Sequence, residues 1–84
     1  MFSNISIKQE APDGTLSIRL NYVSETTRYA VYSVKDQKLL EKKLVTTEVR
    51  VNHKLPEGTY FVKVMENNII SCTQKITVTE PAKV

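Results

Sequence analysis

Apolar and polar residues alternate with a period of two along most of this chain, the spacing of half-buried strands. Thr15–Val23 shows it best: Leu16, Ile18, Leu20 and Tyr22 fall on one side, Ser17, Arg19 and Asn21 on the other. A strand with one apolar and one wet side belongs in an antiparallel sheet. The same period predicts strands over Asn4–Lys8, Arg28–Val34, Leu39–Val45, Thr47–Asn52, a sixth beginning after Gly58, and Ile69–Val78. In the first, Ile5 and Ile7 share a face and Phe2 stands out of phase. Arg28–Val34 is apolar on nearly both faces and reads as central, with Tyr29 and Tyr32 in the core. In the last, Ile70, Cys72, Ile76 and Val78 share the buried face, with Gln74 its one polar member.

Turn chemistry separates these runs. Ala11-Pro12-Asp13-Gly14 combines a preset φ, a side chain that bonds local backbone, and a residue free to take positive φ. Lys35-Asp36-Gln37-Lys38 lacks the Gly of a two-residue hairpin, so a loop of about three to five residues is expected there. Glu66-Asn67-Asn68 reads as a hairpin turn, because Asn tolerates the left-handed conformation. A helix competes only at Leu39–Leu44, where Leu40 and Leu44 lie four apart; the run is too short, and Val45-Thr46-Thr47 opposes extension. The pattern predicts an all-β fold, an immunoglobulin-like antiparallel β-sandwich of about seven strands, with a small barrel as the alternative. Residues 1–84 are read as a single sandwich domain with 79–84 a flexible tail.

At 84 residues, such a domain buries roughly 60–65% of the surface its unfolded chain exposes, so its core is thin. An apolar fraction of 40% suffices for that core, and no apolar run approaches the length of a transmembrane helix. The formal net charge of +3 is too small for a dedicated nucleic-acid binder. With one cysteine and no Trp, a disulfide-pinned immunoglobulin domain is excluded.

Catalytic equipment is lacking. His53, the lone histidine, has no partner spacing for metal or base chemistry and reads as a solvated loop residue. Cys72 reads as a small buried hydrophobe rather than a nucleophile. The nine carboxylates are scattered, and Gly14 and Gly58 stand apart, so neither a calcium loop nor a phosphate cradle is present. Lys35, Lys38, Lys42 and Lys43 form the densest basic group, but Asp36 and Glu41 interrupt it. It reads as a solvated hairpin edge on which Lys discourages edge-to-edge pairing. The chain is therefore expected to be no enzyme, to need no cofactor or metal, and to bind no nucleic acid.

One stretch is marked more strongly than the rest: Leu55-Pro56-Glu57-Gly58-Thr59-Tyr60-Phe61-Val62-Lys63-Val64. It is preceded by Ala30-Val31-Tyr32-Ser33-Val34, the turn Lys35–Lys38 and Leu39-Leu40, and followed by Thr73-Gln74-Lys75-Ile76-Thr77-Val78. This order resembles the C-terminal sorting domain of Bacteroidetes proteins exported by the type IX (Por) secretion system. The resemblance covers about fifty residues, from Arg28 to Val78, and extends weakly to Pro12, Gly14, Leu16 and Ile18. Three features depart from the family pattern: Asp36-Gln37 stands where the family favours Gly, an Asn-Pro pair near the start is missing, and the chain continues past Val78.

The resemblance implies a folded, non-catalytic secretion signal. Its partners would be the outer-membrane translocon and a sortase-like peptidase, and its destination the cell surface or medium by way of the periplasm. It singles out Leu55, Pro56, Gly58, Tyr60, Val62, Lys63, Lys75, Ile76 and Val78 as the structural and recognition motif. The last hairpin and tail, Tyr60–Val84, would carry the signal, with Leu55–Gly58 shaping their entry. The alternatives are an immunoglobulin- or fibronectin-like accessory or binding module of a larger bacterial surface protein, and a cytoplasmic binding protein if the chain natively begins at Met1.

Overall fold

The structure, a computed structural model, describes residues 4–81; Phe2 and the last three residues of the expected tail lie outside them. Seven strands follow one another: β1 (Ile5–Gln9), β2 (Leu16–Leu20), β3 (Thr27–Ser33), β4 (Lys38–Lys43), β5 (Glu48–Val51), β6 (Gly58–Glu66) and β7 (Ile69–Val78). They form two antiparallel sheets, β1-β2-β5 and β4-β3-β6-β7, and the described residues contain no helix. This is the immunoglobulin-like sandwich and not the barrel.

The period-two pattern places the core between the sheets. Leu16, Ile18 and Leu20 of β2 meet Tyr29 and Val31 of β3, Val62 and Val64 of β6, and Ile76 and Val78 of β7 in one buried cluster, closed by Ile7, Leu44 and Tyr60. Fully burying one such aliphatic side chain contributes about 1.5–3 kcal/mol. In disulfide-pinned immunoglobulin domains a Tyr on the sixth strand lies two residues before the second bridging Cys. Here Val62 stands two residues after Tyr60, and both it and Ile18 of β2 lie with no exposed surface in one aliphatic core.

Local chemistry sets the turns. At Ala11–Gly14 the Gly14 amide donates to the Ala11 carbonyl at 3.1 Å, and Gly14 has φ +94°. The Asp13 carboxylate accepts from the Thr15 amide (2.9 Å) and hydroxyl (2.7 Å), which holds its pKa below the ordinary value. Asn67 and Asn68 are both left-handed, the two-residue type I′ turn that matches strand twist. Val34–Gln37 forms a four-residue loop between β3 and β4, within the expected length. Thr79 and Glu80, the start of the stretch read as a tail, both donate backbone hydrogen bonds to the Pro12 carbonyl (3.0 and 3.2 Å).

Several expectations from strict alternation are corrected by two irregularities and by strand ends. Val64 pairs with Cys72 but Met65 with Ile70, so Ser71 is an extra residue. The bulge turns Ile70 out of the inward set, and Ile70 is half exposed. Cys72 packs at the core margin, only partly buried, and Gln74 is exposed. A second irregularity makes Leu39 the extra residue opposite Val31 and Tyr32, which leaves it exposed while Leu40 packs inward. β3 ends at Ser33, so Val34 lies in the loop and is exposed. β2 ends at Leu20, and Tyr22 beyond it is exposed, its hydroxyl donating to Glu66 at 3.0 Å.

Candidate recognition site

Between β5 and β6 the chain turns from one sheet to the other, and the marked stretch builds that corner. Asn52 organises its entry: the side-chain oxygen accepts from the Lys54 amide (2.7 Å), and the side-chain nitrogen donates to the Thr15 hydroxyl (3.0 Å). Lys54 is left-handed, with φ +54°. Leu55 then packs against the core. Gly58 opens β6 with φ +151°, a conformation other residues rarely adopt, and pairs with Val78. Tyr60 inserts its ring into the core and donates from its hydroxyl to the Pro56 carbonyl at 2.7 Å. Such a tyrosine corner, bonding back to backbone a few residues upstream, is a hallmark of immunoglobulin-like sandwiches.

The nine motif residues come together as this corner and the β6–β7 hairpin that leaves it. Tyr60 pairs with Ile76, Val62 with Gln74, Lys63 with Thr73, and Phe61 with Lys75. The pairing sorts them by face. Tyr60, Val62, Ile76 and Val78 are buried between the sheets, and Leu55, Pro56 and Gly58 build the corner before them. Lys63 and Lys75 face outward, and Lys75 is exposed. Lys63 lies flat on the sheet: its ammonium sits 4.2 Å from the centre of the Tyr32 ring and 3.1 Å from the Asp36 carboxylate. Tyr32 is therefore a platform on the outer face and not a core residue.

Asp36 also accounts for one departure from the family pattern. Its φ of +63° is the left-handed conformation that Gly takes without cost and Asp tolerates. An Asp in place of Gly adds the carboxylate that pins Lys63. The loop bonds Ser33 amide to Gln37 carbonyl (2.9 Å) and Asp36 amide to Ser33 carbonyl (2.9 Å) fix its position.

His53 is not a free loop residue: its Nε2 lies 2.7 Å from the Tyr29 hydroxyl, and the ring is partly buried. Burial, and then the nearby Lys42 ammonium, hold its pKa below the ordinary value. The Tyr29 hydroxyl and Nε2 share one hydrogen bond, its direction set by the imidazole tautomer. Tyr29 in turn titrates higher than usual because it is buried. In the basic group, Lys38 and Arg28 both bind Glu41, at 2.7 and 2.9 Å, lowering the Glu41 pKa. No group of three His, Cys, Asp or Glu among the described residues is arranged to hold a metal. A shallow depression of about 640 Å³ lies on the outer face of β1-β2-β5, lined by residues such as Lys8, Arg19 and Arg50 and by none of the motif residues.

Pattern reading did not reach the contacts made by side-chain tips. His53–Tyr29, Lys63–Asp36 and a pairing of Gln9 with Thr77 join positions 24, 27 and 68 residues apart, and no local signal marks them. Two could have been suspected: a histidine following an inward-facing Val51, and a Gln closing β1 without an apolar neighbour.

The tyrosine corner and the hairpin that leaves it, set between two antiparallel sheets, define an immunoglobulin-like β-sandwich module. The family model for the secretion system C-terminal sorting domain matches residues 12–79, most of the chain and all nine motif residues, so the chain belongs to the type IX sorting-domain family. No curated protein matches it in sequence. Among solved structures, domains 3 and 4 of rat CD4 are similar, at 15% identity with a TM-score of 0.59 over 88% of this chain. This chain spans 40% of that CD4 chain, and the likeness is one of fold alone.

Proposed function

We propose that this domain is a folded C-terminal sorting signal, recognised as a folded surface by the type IX outer-membrane translocon. The family match over residues 12–79 carries this reading. Its cargo passes through the periplasm to the cell surface or medium, and a sortase-like peptidase removes the domain as the cargo is attached or released. The domain performs no chemistry itself, in keeping with its family. Because the buried motif residues are committed to the fold, recognition falls to the outward groups of the same hairpin, Lys75 foremost. Export of a periplasmic reporter fused ahead of this chain, in a type IX-competent cell, tests the reading. Surface or medium location is expected; retention in the periplasm overturns it.

A further inference from the structure

The β7 strand is an edge of its sheet, and an open edge is a template for pairing with another chain. Its far end is closed by a side chain. The Gln9 carboxamide oxygen accepts from the Thr77 amide at 2.9 Å, and its nitrogen donates to the Thr77 carbonyl at 2.7 Å. The nitrogen also donates to the Ala11 carbonyl at 2.9 Å, which holds the carboxamide in place. A primary carboxamide carries the same donor and acceptor as a peptide unit. Gln9 thus makes the pair of hydrogen bonds that a residue of a neighbouring antiparallel strand would make.

The Thr77 bonds also fix which backbone groups face outward. Its amide and carbonyl point away from β6, and in an antiparallel ladder every second residue does the same. Lys75 and Thr73 therefore face the open edge too, up to the Ser71 bulge. The Lys75 carbonyl accepts only from the adjacent Gln74 side chain (3.1 Å), and the outward groups of Thr73 have no partner among the described residues. An antiparallel pairing that used all three positions would centre on Lys75 and set Thr73 against Thr77 of the other copy. β7 contains no acidic residue, and its one charge, Lys75, would meet itself.

We propose that Gln9 is a strand surrogate that keeps β7 from pairing with β7 of a second copy. It removes the Thr77 position from the edge, and Lys75 opposes the remaining register by like-charge repulsion. Closing the edge in this way ends the sheet at β7.

Native-state amide exchange and light scattering over a concentration series test this together. In the wild-type domain the Thr77 amide is expected to exchange about tenfold more slowly than those of Thr73 and Lys75. Gln9→Ala removes that difference and produces concentration-dependent association with new protection at all three amides. Adding Thr77→Pro, acceptable where an edge amide points outward, returns the double variant to a monomer. Equal exchange at Thr77 and Thr73 in the wild type, or a folded Gln9→Ala domain that stays monomeric, overturns the proposal. Unfolding of Gln9→Ala also overturns it, since Gln9 would then serve stability and not edge protection. None of these readouts depends on export.

Discussion

The hydroxyl of Tyr60 reaches back four residues to the carbonyl of Pro56, 2.7 Å away, and ties the corner between the sheets to the strand that leaves it. The ring above that hydroxyl is buried, so the bond and the packing separate by substitution. Tyr60→Phe keeps the packing and leaves the Pro56 carbonyl short of a donor. It is expected to lower stability by about 1–2 kcal/mol, read as a lower urea midpoint with an unchanged slope. Tyr60→Ala also empties the core and is expected to cost about 3–5 kcal/mol.

The two glycines differ in what a side chain would meet. A Cβ on Gly14 would lie 2.9 Å from Cγ2 of Val78, in a conformation, φ +94°, that L-residues avoid. One on Gly58 would touch only the Tyr60 ring, at ordinary distances of 3.7 Å and beyond. Gly58→Ala should therefore carry the backbone strain alone, about 1–3 kcal/mol, and Gly14→Ala the strain and a clash. Thermal unfolding should rank Gly14→Ala as the less stable. Trimming the neighbour in a Gly14→Ala/Val78→Ala double variant should give less loss than the sum of the two single changes.

The contrast shows what was legible in the sequence. Gly14 and Gly58 were both readable as turn residues, and the strands around them as strands, because turn chemistry and period-two alternation are local. That Gly14, in the β1–β2 turn, lies against Val78 at the end of β7 is a contact between positions far apart in the chain, and no local pattern encodes it. Ile70 was misplaced for a related reason. A bulge shifts the phase by one residue, and Ser71 carries no mark distinguishing it from an ordinary strand residue. The division of the nine motif residues into buried and outward sets needed the register, which no local pattern supplies. Tyr32 shows the same limit: an aromatic on a central strand reads as core until Lys63 is seen lying across it.

His53 should make stability depend on pH. In the unfolded chain its imidazole titrates near the ordinary value of 6.5, and in the folded chain lower, because burial and Lys42 disfavour the charged form. Between these two values the unfolded chain binds more protons. Stability should therefore be full above pH 6.5 and fall as the pH drops through that window. Asp13 and Glu41, also lowered, act with the same sign, but only near and below their ordinary values of 3.8 and 4.5. Urea midpoints measured from pH 7.5 to 5 should decline in the wild type and stay flat in His53→Gln. A decline of equal size in both would assign the dependence to other groups.

Lys75 separates a recognition role from a structural one. It is exposed, makes no ion pair among the described residues, and stands on the outer face opposite Phe61. Surface changes of this kind typically alter stability by no more than about 0.5 kcal/mol. Lys75→Glu should therefore unfold at the wild-type temperature while reversing the one charge on β7. If the secretion machinery reads the outward side of the hairpin, export of a fused reporter should fall with no loss of folded domain. Ile76→Ala, one residue along and fully buried, should lose about 2–5 kcal/mol and lose export through the fold. Wild-type export of Lys75→Glu would place the recognised surface elsewhere on the sandwich. Reduced export with an unchanged melting temperature would tie it to β7.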